Sequence, residues 1–263
     1  MEWTADAESE IRKVPFFVRK KVKSRVEREA AAEGKNQVTL ADVHAARKRF
    51  LANMSAEIKG YQVDTCFSRG NCPHQANTAT PLADRIEERL KQADLLDFLK
   101  AAVGDSLKFH HELRVSIAEC PNACSQPQIK DIGIIGACVP EITDVECSGC
   151  GECIAACRDD AIQLDEDQHI PVINTEKCLF CGACARACPT GTIADGSKAY
   201  RVMLGGKLGR HPRLAQELPG IFNENQVLDI VDRCIAFYKA ASKNGQRFAE
   251  LYTGPGNIDI GRE

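Results

Sequence analysis

Fourteen of the 263 residues are cysteine, and their spacing is what could do chemistry. Eight fall in two runs of one form, Cys147-x2-Cys150-x2-Cys153-x3-Cys157 and Cys178-x2-Cys181-x2-Cys184-x3-Cys188-Pro189. A lone Cys-x2-Cys arises by chance, whereas two complete four-cysteine runs do not. Four more stand in two pairs, Cys66-x5-Cys72 and Cys120-x3-Cys124, the second in a turn-forming Pro-Asn context. Thiolate is the ligand that soft iron–sulfur centres favour, so these twelve cysteines read as three four-thiolate sets. A disulfide pair or a zinc site competes for the Cys66/Cys72/Cys120/Cys124 set, but zinc sites more often space their ligands two to four residues apart. Cys138 and Cys234 remain, and neither is assigned as a ligand. The segment MEWTADAESEIRKVPFF has no apolar signal-peptide core, and runs such as 132–139 are too short and glycine-rich to span a bilayer. The expectation is a reducing cytoplasm with the cysteines on metal. A net charge of −3 speaks against nucleic-acid or membrane-surface binding by the chain as a whole.

The two runs resemble bacterial two-cluster ferredoxins. That resemblance implies two [4Fe–4S] clusters, with the fourth cysteine of each run crossing to the other cluster. Cys147, Cys150, Cys153 and Cys188 would hold one, and Cys178, Cys181, Cys184 and Cys157 the second. Arg158 stands where this pattern usually has proline, and a cation there would stabilise the more reduced cluster. The segment LRVSIA at 113–118, followed by ECPNACSQPQIKDIGIIG, resembles the cluster-binding half of sulfite and nitrite reductases. It implies that Cys66, Cys72, Cys120 and Cys124 hold a further [4Fe–4S] cluster. It also implies that Cys124 bridges to the iron of a siroheme where a small anion, sulfite or nitrite, takes up six electrons. The segment YRVMLGGKLGRHP at 200–212 resembles dissimilatory sulfite reductase subunits, which also carry a ferredoxin module inserted at this place. Arg69, Lys207 and Arg210 become candidates to meet siroheme carboxylates or the anion, with plain surface salt bridges as the alternative. His74, His110 and His111 lie near cluster ligands in sequence and are candidate proton donors. The N-terminal IRKVPFFVRKKVKSRVEREAAAEG and VTLADVHAARKRF resemble the small C-terminal module of one subunit of light-independent protochlorophyllide reductase, a compact helical accessory domain.

Regular elements must position these groups. Residues 1–55 read as helical. Pro15 stands at a first turn, Val18, Val22, Val26 and Ala30 recur every fourth position, and Gly34 is a stop. Thr39 is a cap with Asp42 three residues on, ahead of Leu40, Val43 and Phe50 on one face. Residues 11–35 carry nine Lys or Arg against three acidic residues, a solvated face or a surface for an acidic partner. Thr80-Pro81 opens one long helix to about Ala102, with Leu82, Ile86, Leu90, Leu96 and Leu99 inward. Lys108–Ala118 reads as a strand delivering Cys120 to its turn, and Asp131–Gly136 leads away. Residues 141–195 hold eleven acidic and three basic residues. Asn223 caps a last helix, with Phe222 and Val227 placed for a staple and Val227, Leu228, Val231, Ile235 and Tyr238 on its apolar face. Cys234 falls on that face. From Phe248 the chain reads as a loose tail.

The expected fold class is α+β: an N-terminal helical module (1–55), an α/β sulfite-reductase-like cluster domain (56–140 and 196–263) with an inserted ferredoxin-like module (141–195), and a C-terminal helix. The expected function is an iron–sulfur oxidoreductase. It passes electrons from the ferredoxin module to a [4Fe–4S]–siroheme centre that binds heme and reduces sulfite or nitrite. Nothing before Cys66 resembles the half that helps enclose siroheme in full-length family members. A partner subunit or a second copy of the chain in an oligomer would supply that wall, and a redox protein would be the electron donor. The alternative is a siroheme-free three-cluster electron-transfer protein or subunit.

Overall fold

The structure, a computed structural model, describes residues 1–67, 71–165, 167 and 170–259; for 51–56 and 105 it describes the backbone alone. Helices and sheets are mixed, as the α+β reading expects, and the chain divides into two units, Met1–Ile58 and Lys59–Glu263.

The first unit runs β1 (Glu2–Trp3), α1 (Ala5–Arg12), α2 (Phe16–Ala32), β2 (Gln37–Val38) and α3 (Leu40–Glu57), with β1 and β2 paired in parallel. Ala7, Val26, Ala30, Val38, Val43 and Ala46 form its core, with Trp3 and Val22 packed against it. The stripe expected on α2 is therefore half right. Val18 is 37% exposed on the first turn beside exposed Phe16 and Phe17. Phe50 is also outside the core, with the Arg25 guanidinium over its ring. Gly34 ends α2 in the left-handed region, where glycine carries no side-chain penalty.

Asp42 secures the start of α3. Its carboxylate accepts from the Thr39 N–H at 2.8 Å and the Thr39 hydroxyl at 2.7 Å, and the Lys35 ammonium lies 2.5 Å away. The Lys35 hydrogen bond, then those from Thr39, hold this carboxyl at about 2. Replacing Asp42 with alanine is expected to cost about 1 kcal/mol. Because the folded pKa is depressed, that contribution is complete above the unfolded value of about 3.9 and is lost as pH falls toward the folded one. Urea unfolding followed at Trp3, the sole tryptophan, should show a lower midpoint for Asp42→Ala at neutral pH and a shrinking gap below about pH 4. Equal midpoints at neutral pH would contradict this role.

The second unit runs β3 (Tyr61–Thr65), α4 (Thr80–Gln92), α5 (Leu95–Val103), β4 (Leu113–Ala118), β5 (Ile132–Ile142), α6 (Glu152–Ala156), β6 (Ile162–Leu164), β7 (Pro171–Ile173), α7 (Ala183–Ala187), β8 (Ile193–Leu204), β9 (Gln216–Glu217), α8 (Glu224–Ala241) and α9 (Phe248–Leu251). Its main sheet has the order β3-β4-β5-β8-β9. The first three strands are parallel, and β8 and β9 are added antiparallel. β5 and β8 make a long ribbon whose far end carries the Cys147–Cys188 lobe and the small β6–β7 hairpin. α4 lies against β3, and α8 lies against α4 and β8. Leu82, Ile86 and Leu90 are buried on α4; Val227, Leu228, Val231, Cys234, Ile235 and Tyr238 are buried on α8. Asn223 caps α8, its side chain accepting from Gln226 N–H at 3.0 Å.

Three expectations need correction. The helix from Thr80 breaks at Asp94, which adopts the left-handed conformation that a short polar side chain tolerates. The break rotates the following turn, so Leu95 is buried and Leu96 only partly so. β4 begins at Leu113, because Phe109–His111 form a 3₁₀ turn instead of strand. The tail is not loose. Phe248, Ala249 and Tyr252 are fully buried, and Arg213 reaches from the β8–β9 loop to donate to the carbonyls of Gly205, Ala249 and Tyr252.

Candidate metal centre

β3 and β4 are parallel neighbours, with Thr65 opposite Ile117, so both chains leave the sheet at the same end. Cys66 follows the first strand, and Glu119-Cys120 follows the second. The mouth beyond the carboxyl ends of parallel strands is where open α/β sheets hold ligands. The Glu119 N–H donates to the Cys66 sulfur at 3.3 Å. The Glu119 carbonyl accepts from Ala76 N–H at 2.9 Å and Asn77 N–H at 3.2 Å, which ties the loop after Cys72 to the loop bearing Cys120. Gly136 on β5 permits this approach, since a Cβ there would lie 2.7 Å from the Glu119 oxygen. The turn itself holds two non-glycine residues at positive φ, Ala123 and Gln126, of the kind that recurs at functional loops. Ser116 and Ser125 brace it through reciprocal bonds, to the Ser125 carbonyl at 2.8 Å and the Ile117 carbonyl at 3.0 Å.

This framework brings four thiols together. Burial raises the Cys120 pKa, and the neighbouring thiols of Cys66, Cys72 and Cys124 push it further. Burial likewise raises Cys66, with Cys124 again close enough to contribute. Cys66 and Cys120 are buried, Cys72 is half-buried, and Cys124 is exposed.

The other eight cysteines lie in a lobe with internal symmetry. Gly149, Gly151 and Asp160 have positive φ in the first half, and Phe180, Gly182 and Gly191 have it at the same offsets in the second. Gly149 N–H donates to the Cys147 sulfur, as Phe180 N–H does to Cys178. Ala161 N–H donates to Cys157, and Ile193 N–H to Cys188. The thiols do not group by run. Burial raises Cys153, and the neighbouring thiols of Cys147 and Cys188 push it further. Burial also raises Cys178, beside Cys181 and Cys157. Cys184 goes up to about 11 through burial, with Cys178 and Cys181 adding to it. At Cys188 burial acts upward but is outweighed by hydrogen bonds from Ile193, Thr190 and Gly191, and the thiol falls to about 7. Cys157, Cys178, Cys181 and Cys184 together line one small cavity.

All fourteen cysteines are free thiols. Among the described residues no three His, Cys, Asp or Glu side chains converge on a point as a single ion requires. Cys157, Cys178, Cys181 and Cys184 line a space instead, and soft sulfur donors around a space fit an iron–sulfur cluster, with N–H groups already aimed at the sulfurs of Cys66, Cys147, Cys157, Cys178 and Cys188.

The remaining candidates are scattered. Lys207 exchanges main-chain hydrogen bonds with Arg213, and Gly206 and Ala215 bind the carbonyls of Lys130 and Gln128 on the turn after Cys124. Ala215 packs against the buried cluster that contains Cys66 and Ala123, so this loop lies near the four-thiol set. Lys207 is half-buried and Arg210 exposed. Neither forms a salt bridge among the described residues. Arg69 lies outside the described residues. His74 joins Cys120, Arg158, Arg186 and Cys181 in lining a groove of about 430 Å³ between the four-thiol set and the lobe. His110 and His111 sit before β4, at the opposite end of a six-residue strand from Cys120. At about 3.3 Å per residue that is roughly 20 Å away, too far to donate protons there. Cys138 is buried between the two regions, a place that no motif in its sequence marks.

The family model described as nitrite and sulphite reductase 4Fe-4S domain matches residues 59–253, and the one described as proto-chlorophyllide reductase 57 kD subunit matches residues 3–47. The chain belongs to the nitrite and sulphite reductase 4Fe-4S domain family, and it is a sulfite-reductase-like iron–sulfur protein. The coenzyme F420-dependent sulfite reductase of Methanocaldococcus jannaschii is 31% identical over 182 residues, 69% of this chain and 27% of that protein. An anaerobic sulfite reductase subunit of Salmonella typhimurium is 25% identical over 136 residues, 46% of this chain and 36% of that one. A light-independent protochlorophyllide reductase subunit of Synechococcus sp. is 42% identical over 50 residues, 19% of this chain and 10% of that one. The chain thus spans about a third or less of these relatives. No helix among the described residues is long and apolar enough to cross a membrane.

Proposed function

We propose that this chain carries three [4Fe–4S] clusters. Two sit in a ferredoxin-like module at 141–195, and one is held by Cys66, Cys72, Cys120 and Cys124 in a reductase-like domain at 56–140 and 196–263. Residues 1–55 form an accessory helical domain. Electrons taken up by the module reach a centre that reduces sulfite, or nitrite, on a partnered assembly. The grouping of the Cys120 thiol with those of Cys66, Cys72 and Cys124 at one sheet end carries this reading.

Siroheme suits the outer side of that set. Cys124 is exposed, and Phe67, Leu208 and Leu214 present large apolar side chains to solvent on segments flanking Cys66 and Ala215. When bound, siroheme would supply the multi-electron reduction chemistry, and Cys124 would be the residue that holds it beside the cluster. Lys207 and Arg210 would attract the oxyanion and the macrocycle's carboxylates. The exposure of this face also favours a second reading, a siroheme-free electron-transfer subunit whose Cys124 side meets a partner.

The absorption spectrum of anaerobically purified protein separates the two. Red-region bands, lost in Cys124→Ser while most of the iron is retained, are the expected result. A broad brown shoulder without such bands would leave the electron-transfer reading.

A further inference from the structure

Cys138 belongs to none of the three thiol sets, yet it lies beside members of two of them. It is fully buried on β5, in one small buried cluster with Cys120 and Ala76. Its N–H donates to the Phe180 carbonyl at 2.8 Å, and its main chain bridges to Cys181 in parallel. The Cys138 thiol donates to Asp195 Oδ1 at 3.2 Å, and Lys198 holds Asp195 at 2.8 Å, so the side chain has one fixed orientation. The backbone across from it is also cut to fit. Gly182 has φ +69°, and a Cβ there would lie 3.1 Å from Cys138 Cβ and 3.2 Å from its sulfur. β5 shifts register immediately after this point, between Cys138 and Pro140.

We infer that Cys138 is a positioning residue that sets the gap between Cys120 and Cys181, and with it the passage of electrons between the clusters those residues hold. The inference rests on the three-cluster reading. It makes the Cys157/Cys178/Cys181/Cys184 set the inner member of the module. The Cys147/Cys150/Cys153/Cys188 set, with Cys150 exposed, becomes the outer one. The transfer makes and breaks no bond. The inner cluster loses one electron, the Cys66/Cys72/Cys120/Cys124 cluster gains it, and a low-potential one-electron donor outside the chain replaces it through the outer cluster.

The test compares the full chain, purified anaerobically, with Cys138→Ser, Cys138→Ala and Gly182→Ala. Iron and sulfide are counted first. The protein is then reduced by a flash-excited deazaflavin and freeze-quenched, and electron paramagnetic resonance follows arrival at the Cys120-bound cluster and the magnetic splitting between reduced clusters. Cys138→Ser, which keeps size and hydrogen bond, is expected to behave as the parent. Cys138→Ala and Gly182→Ala are expected to keep their iron but to slow arrival severalfold, and Gly182→Ala also to shrink the splitting. Full iron with unchanged arrival and splitting in both variants would overturn the inference. A parent chain with iron for fewer than three clusters would instead overturn the reading beneath it.

Discussion

Pairing a Cys188 substitution with different second sites should give opposite iron counts. Cys188→Ala with Cys153→Ala is expected to cost one cluster, leaving about eight of about twelve iron atoms per chain. Cys188→Ala with Cys184→Ala is expected to cost two, leaving about four, although both changes fall within one run. The reason is geometric. Cys188 ends α7, but its sulfur lies with those of Cys147 and Cys153, while Cys157 at the end of α6 joins Cys178. The two short helices pass each other, and Cys153, Cys157, Cys184 and Cys188 pack into one cluster of side chains. If each run kept its own four ligands, the two double variants would swap results. Iron and acid-labile sulfide assays on anaerobic protein read the difference directly.

Replacing Cys120 with alanine is the second large change expected. Cys120 is the candidate ligand with the least freedom: it is 5% exposed and follows a strand whose neighbours are fixed by main-chain bonds through Glu119. Three thiols remain, and Cys66 is buried where its ionised form is disfavoured. A [4Fe–4S] centre held by four thiolates should therefore fail here while the lobe keeps its own. Iron is expected to fall by about a third, with any siroheme band lost and the lobe's resonance signals kept. Unchanged iron would show that Cys120 is not a ligand.

The parts of this site that sequence made legible are the ones written in local pattern. Two cysteine runs of identical spacing declare a duplicated lobe, and the structure repeats the same positive-φ positions in both halves. The cap at Asn223 and the apolar face of α8 follow from neighbouring residues alone, and both appear as read. What was hidden depends on tertiary contact. The tail from Phe248 has little periodicity, but Arg213 binds its carbonyls and Tyr252 fills space beneath Gly205. The helix break at Asp94 leaves no glycine or proline to mark it. His110 and His111 are near Cys120 in sequence and a strand's length away in space. Cys138 carries no motif, and its position between Cys120 and Cys181 is created by the β5–β8 ribbon folding the lobe back against the sheet end.

Twelve thiols holding three four-iron centres underlie the proposed electron path. Mössbauer spectroscopy of anaerobically prepared, iron-57-labelled chain, combined with iron and sulfide totals, tests this most directly. The expected result is about twelve irons and twelve sulfides per chain, all in the mixed-valence state of [4Fe–4S] centres apart from any siroheme iron. Eight irons or fewer, or zinc at Cys66, Cys72, Cys120 and Cys124, would contradict it.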